Sequence, residues 1–126
     1  MNLETIYVIS DNKFGKYIAE WAGSKKVEVI TTQQKNSELS DLVDGVVIFH
    51  ENHNFRKEDL ETQDVLNENN RAVHKVDLNG TLSATNSNFI MWLERNKPKS
   101  LLFLADDAVI KNNNLSAFLE GVDETI

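Results

Sequence analysis

The chain has 126 residues, 40% apolar and 26% charged, a size and balance that suit one domain able to bury a core without staples. With no cysteine, a disulfide scaffold, a thiolate metal centre and a cysteine nucleophile are excluded, and a net charge of −7 repels nucleic acid and anionic lipid. No apolar run approaches bilayer length and Met1–Ile9 does not read as a leader, so the expectation is a cytoplasmic single domain over residues 1–126 with no membrane and no nucleic-acid partner.

Thr5–Ile9 is a β-branched and aromatic run, typical of a strand covered on both faces. Ser10-Asp11-Asn12 supplies capping chemistry for a helix whose stripe is Phe14, Ile18, Trp21 and Ala22, with Gly23 at its stop. Lys26–Thr32 alternates as a half-exposed strand, and Ser37–Val43 allows a short helical turn. Gly45–Phe49 is a second fully apolar strand. Arg56–Asn67 reads as a weaker helix with Glu58 and Asp59 near its positive end. Ala72–Leu78 is the fourth strand. Asn86 or Ser87 then caps a helix through Phe89, Ile90, Trp92 and Leu93, closed by Lys97-Pro98. Leu101–Leu104 forms the fifth strand. Leu115, Phe118 and Leu119 mark a last helix before an acidic tail expected to fray over 122–126.

Strands alternating with helices at this spacing predict a three-layer α/β/α domain with a five-stranded, mainly parallel, doubly wound sheet, flavodoxin-like or Rossmann-like. The strand order stays open, because two cues conflict. The familiar order 2-1-3-4-5 puts the fifth strand at an edge, yet Ala72–Asp77 is more amphipathic than Leu101–Leu104. The residues that flavodoxins and response-regulator receivers place at their strand ends are not found here: Asp11 alone fits the receiver pattern. No family follows from the motifs.

Ligands of open parallel sheets bind outside the carboxyl ends of the strands. After the first strand, Ser10, Asp11, Asn12 and Lys13 could turn backbone N–H groups and an ammonium toward an anion, although simple capping by Ser10 or Asp11 is the favoured reading of that segment. After the fourth, Asn79, Gly80, Thr81, Ser83, Thr85 and Ser87 read as a long hydroxyl-rich loop around a glycine, suited to a phosphate or polar molecule. These ten residues are the expected two sides of one crevice. His50, Glu51 and His53 have metal-donor chemistry, but the histidines are three apart in a loop and no further ligand is identifiable. Whether they bind a metal stays open. Asp106 and Asp107 read as a cap for the turn that follows. Neither a cofactor nor a metal is assigned, and no nucleophile–base pair assembles, which leans away from catalysis. The favoured function is a non-catalytic regulatory or protein-interaction domain. The alternative is a binder or modifier of a nucleotide or phosphorylated small molecule at the carboxyl end of the sheet.

Overall fold

The computed structural model describes residues 3–9, 12–23, 27–33 and 36–122. Strand β1 (Thr5–Ile9), helix α1 (Lys13–Ala22), strand β2 (Glu28–Thr32), helix α2 (Asn36–Leu42), strand β3 (Gly45–His50) and helix α3 (Lys57–Glu68) make up the first half. Strand β4 (Ala72–Asp77), helix α4 (Leu82–Asn96), strand β5 (Ser100–Ala105), a 3₁₀ turn over Asp107–Lys111 and helix α5 (Asn113–Val122) complete the chain. The five strands are all parallel, in the order β2-β1-β5-β3-β4, with helices on both faces. No described helix is long and apolar enough to cross a membrane.

The order resolves the conflict between the two sequence cues. Gly45–His50 is buried along its whole length and Leu101–Ala105 likewise, so both strands belong inside the sheet. Ala72–Asp77 keeps a partly exposed face and takes an edge. In the order 2-1-3-4-5 those roles would be reversed. β5 therefore lies between β1 and β3, pairing Tyr7 with Leu102 on one side and Val46 with Leu102 on the other.

Right-handed crossovers then decide which face each helix covers. The connections from β1 to β2 and from β4 to β5 run toward the β2 edge, and their helices α1 and α4 share one face with α5. There Phe14, Ile18, Phe89, Trp92, Leu93, Leu115 and Phe118 pack over Ile6, Val8, Val47, Phe49 and Phe103. The connections running the other way put α2 and α3 on the opposite face, where Leu39, Val43 and Leu66 cover Val46, Ile48, Leu102 and Leu104. Phe49 sits at the centre of the larger layer, with ring centroids 5.5 Å from Phe14, 5.3 Å from Phe103 and 5.5 Å from Phe118. Gly15 lets α1 approach β1: a Cβ there would lie 2.8 Å from the Ile9 carbonyl oxygen.

Three expectations change. Helix α4 begins at Leu82, with Thr81 at its N-cap, rather than at Asn86 or Ser87. Thr81, Ser83, Thr85, Asn86 and Ser87 are all capable caps, so local chemistry cannot choose among them; Leu82 packing against the core draws the start forward. Val122, expected to open the frayed tail, is fully buried as the last residue of α5, and the rest of that tail lies outside the described residues. Trp21 is only partly buried, whereas Trp92 is 7% exposed and belongs to the core. Trp92→Ala should therefore cost roughly 3–5 kcal/mol in urea unfolding, and Trp21→Ala distinctly less, about 1–2 kcal/mol.

His74 on β4 lies under α4, its ring centroid 5.6 Å from Phe89 and 5.3 Å from Trp92. Burial lowers its pKa from 6.5 to about 4. Between those values the unfolded chain takes up a proton that the folded chain refuses. Its stabilising contribution is thus complete above about pH 6.5 and is lost as the pH falls toward 4. Replacing His74 with Gln should remove a pH-dependent loss on the order of 1–3 kcal/mol, read as the difference between wild-type and variant urea midpoints across that window.

Candidate functional site

At the carboxyl end of the sheet the chain leaves β3 toward the α3 face and leaves β5 toward the α5 face. Because β3 and β5 are neighbours, their loops part and open a crevice between them. A cleft of about 480 Å³ occupies that place, lined by Glu51, His53, Asn54, Phe55, Asp106, Ala108 and Val109. It straddles the sheet: Phe55 packs with the core layer on the α3 face, and Val109 belongs to the layer on the other.

The β3 side of the cleft is a tight turn. Glu51 and Asn54 form an antiparallel bridge, and the two residues between them, Asn52 and His53, have φ of 52° and 67°. Two successive left-handed residues make a type I′ geometry, which glycine and asparagine adopt with least cost. Holding a histidine there costs on the order of 1 kcal/mol, and such strain concentrates at binding sites. The His53 N–H donates to His50 Nδ1 at 3.0 Å, leaving Nε2 of the neutral ring as the protonated nitrogen. Burial lowers the His50 pKa, more than nearby Asp77 raises it. The two imidazoles stack at 5.1 Å and 24°, with Phe55 4.6 Å from His50 and the Lys75 ammonium 5.1 Å above the Phe55 ring.

Asn112 ties the cleft to its surroundings. Its side-chain amide donates to Glu51 Oε2 at 2.8 Å and to Asn79 Oδ1 at 3.1 Å, while its Oδ1 accepts from the Asn114 N–H in the first turn of α5. Asn114 in turn donates to the Leu78 carbonyl. One asparagine thus joins the loops after β3 and β4 to a helix start. Beside the cleft, Arg56 makes a two-pronged pair with Asp59 at 2.8 and 3.0 Å, next to a smaller cavity of about 190 Å³ walled by Ile9, Leu39, Thr62 and Leu104. Burial pushes the Asp59 carboxyl up against the pull of Arg56. Burial also opposes the charge of Arg56, but Asp59, Glu58 and Asp107 outweigh it and hold the guanidinium charged.

The residues expected to form one crevice do not meet across it. Asn12 and Lys13 stand at the end of β1, while Asn79, Gly80 and Thr81 follow β4, and β5 and β3 lie between, a span of about 14 Å at ordinary strand spacing. Ser10 and Asp11 lie outside the described residues. Asn12 is the N-cap of α1, and the Phe14 N–H already donates to both Asn12 Oδ1 at 2.8 Å and Asp107 Oδ1 at 3.0 Å. A carboxylate therefore holds the place an anion would take. Ser83, Thr85 and Ser87 sit along the first turns of α4 and not in a loop. Gly80 closes a turn through its N–H to the Asp77 carbonyl, and no described glycine has a positive φ. His50, Glu51 and His53 do not converge, since the rings stack and Glu51 turns to Asn112. No cluster of three or more metal-ligating side chains occurs among the described residues. Asp106 does cap the 3₁₀ turn, accepting from the Ala108 N–H at 3.0 Å.

No protein-family model matches the sequence, and no curated protein matches it. Among solved structures, the chain is similar to the crystal structure of a protein from Syntrophus aciditrophicus described as a "putative molybdenum carrier protein". The match has a TM-score of 0.69 and 8% identity, and covers 96% of this chain and 93% of that one. At that identity the likeness is one of fold: a parallel five-stranded sheet between two helical layers.

The asparagine junction makes a measurable demand. Asn112→Ala removes a helix cap and two side-chain bonds, and should cost about 1–2 kcal/mol. Hydrogen exchange should quicken at the amides of 51–54 and 79–80 while β5 stays protected.

Proposed function

We propose that this chain binds a small polar molecule in the cleft between the ends of β3 and β5, without chemical turnover. The observation that carries this reading is the cleft's place and size. It lies where the winding of the sheet reverses, and about 480 Å³ falls within the range of small-molecule sites. The description of the structural neighbour as a carrier also favours holding over reacting. The local chemistry points the same way. Glu51 is engaged by Asn112, Asp106 by a backbone N–H, and His50 Nδ1 by the His53 N–H, so these groups are committed to architecture.

The chemistry of the walls selects the ligand class. Glu51 and Asp106 line the cleft and Asp107 stands beside it; against these three carboxylates stand Lys75, over the Phe55 ring, and Arg56, which is paired with Asp59. That balance disfavours phosphate and other oxyanions, molybdate included, and favours a neutral or cationic molecule with hydroxyl or amine donors. His53 and Phe55 offer flat faces for a ring. The regulatory reading gains little from exposed apolar surface, since Met91, at 52%, is the one well-exposed large hydrophobic side chain among the described residues.

A thermal-shift screen pairing nucleosides and aromatic amines with their phosphorylated forms, and including molybdate, tests this directly. Neutral or cationic members should raise the melting temperature and oxyanions should not. Ala108→Arg, which fills the cleft from an exposed position, should abolish the shift, whereas Lys13→Ala and Gly80→Ala should leave it unchanged. A shift produced only by phosphates or molybdate, or one that survives Ala108→Arg, would contradict the assignment.

A further inference from the structure

Away from the sheet end, helices α1 and α5 leave a groove of about 310 Å³ between them, lined by Tyr17, Glu20, Trp21, Ser116 and Glu120. Tyr17 and Trp21 lie four residues apart on one side of α1, each partly buried against the core with the remaining surface bordering the groove. Glu120 lies four residues beyond Ser116 on α5, so the two border the groove along one line of that helix. Glu20 and Glu120 are exposed, and neither forms an ion pair with any described residue.

Two aromatic side chains beside two exposed carboxylates that pair with no described residue make a specific chemical request. The ring faces attract a cation through their quadrupoles, and the carboxylates accept charge-assisted hydrogen bonds. We infer that this groove docks an arginine or lysine side chain presented by a basic segment of a partner protein. A free small cation fits less well, because the groove is open along the helices and cannot enclose most of a small ligand's surface. A side chain carried on a larger partner does not need that enclosure, since neighbouring contacts share the work. The net charge of −7 adds long-range attraction toward a basic partner.

The full chain, labelled with nitrogen-15, can be titrated with a Gly-Arg-Gly-Arg-Gly peptide, its citrulline counterpart and spermidine. The arginine peptide should move the Trp21 indole N–H resonance and the amides near Glu20 and Glu120, with Kd about millimolar or tighter. The citrulline peptide, of the same shape without the charge, should not. The double variant Glu20→Gln, Glu120→Gln removes two exposed charges and leaves the fold intact. It should weaken the arginine peptide about fivefold or more, and added salt should do the same. No movement at Trp21, an equal response to citrulline, an unchanged affinity in the double variant, or spermidine binding more tightly than the peptide would each overturn the inference.

Discussion

Leu101–Ala105 offers water no polar side chain, and the fold follows from where such a segment can go. A strand apolar on both faces must be paired on both edges and covered above and below. Its place between β1 and β3 satisfies all four requirements at once. From that insertion come the separation of β1 from β3, the assignment of α1, α4 and α5 to one face, and the parting of loops at the ends of β3 and β5. The cleft is thus a consequence of burying one apolar strand, and its walls are whatever residues those two loops carry.

The two ends of the sheet are finished differently. At the amino end, Asp44 accepts from the Lys99 and Ser100 N–H groups at 2.8 and 3.2 Å, and Arg71 donates to the Ser40 carbonyl at 2.7 Å. Those bonds tie the turn before β3 to the start of β5, and the turn before β4 to helix α2. At the carboxyl end polar side chains are also spent: Asn112 donates to the Glu51 and Asn79 side chains, and Asp77, Asp106 and Asp107 accept from the backbone N–H groups of Asn79, Ala108 and Phe14. They do so around a cavity instead of across it. The carboxylates that remain near the opening set its sign, which is why the ligand chemistry argued above runs away from oxyanions even though the structural neighbour is described as a molybdenum carrier.

Much of this architecture is legible in the sequence. Thr5–Ile9, Gly45–Phe49 and Leu101–Leu104 declare themselves as buried strands, and the helices between them predict a parallel sheet. The order of the strands is not legible from any one segment, since parallel neighbours far apart in sequence carry no local pairing signature. The amphipathic Ala72–Asp77 was the available clue, and it outweighs the analogy to the familiar order. The rule that ligands sit at carboxyl ends points to the strand-end loops, among them the two that line the cleft, one containing His53 and Phe55 and the other Asp106. Choosing which two loops face each other requires the order; without it, Lys13 and Gly80 read as partners across a gap that β5 and β3 fill. Nothing local marks Asn112, because asparagine in a run signals turns in general. Two of its three partners, Glu51 and Asn79, come from segments remote in the chain. The Arg56–Asp59 pair was hidden for a related reason, since acids at a helix start are already explained by the helix dipole.

The central position of the fifth strand also orders events during synthesis. β1 with β2, and β3 with β4, can pair as soon as each has been made, yet nothing joins the two pairs until residues 100–105 emerge. Each pair would meanwhile present an unsatisfied backbone edge of the kind that recruits other chains. The contacts that close the sheet are among those most distant in sequence, Thr5 with Ser100 and Gly45 with Leu101. Loop-closure entropy makes such pairings slow. Until residues 100–105 are made, the topology leaves the two halves of the sheet with no strand to join them, so the fifth strand is its keystone.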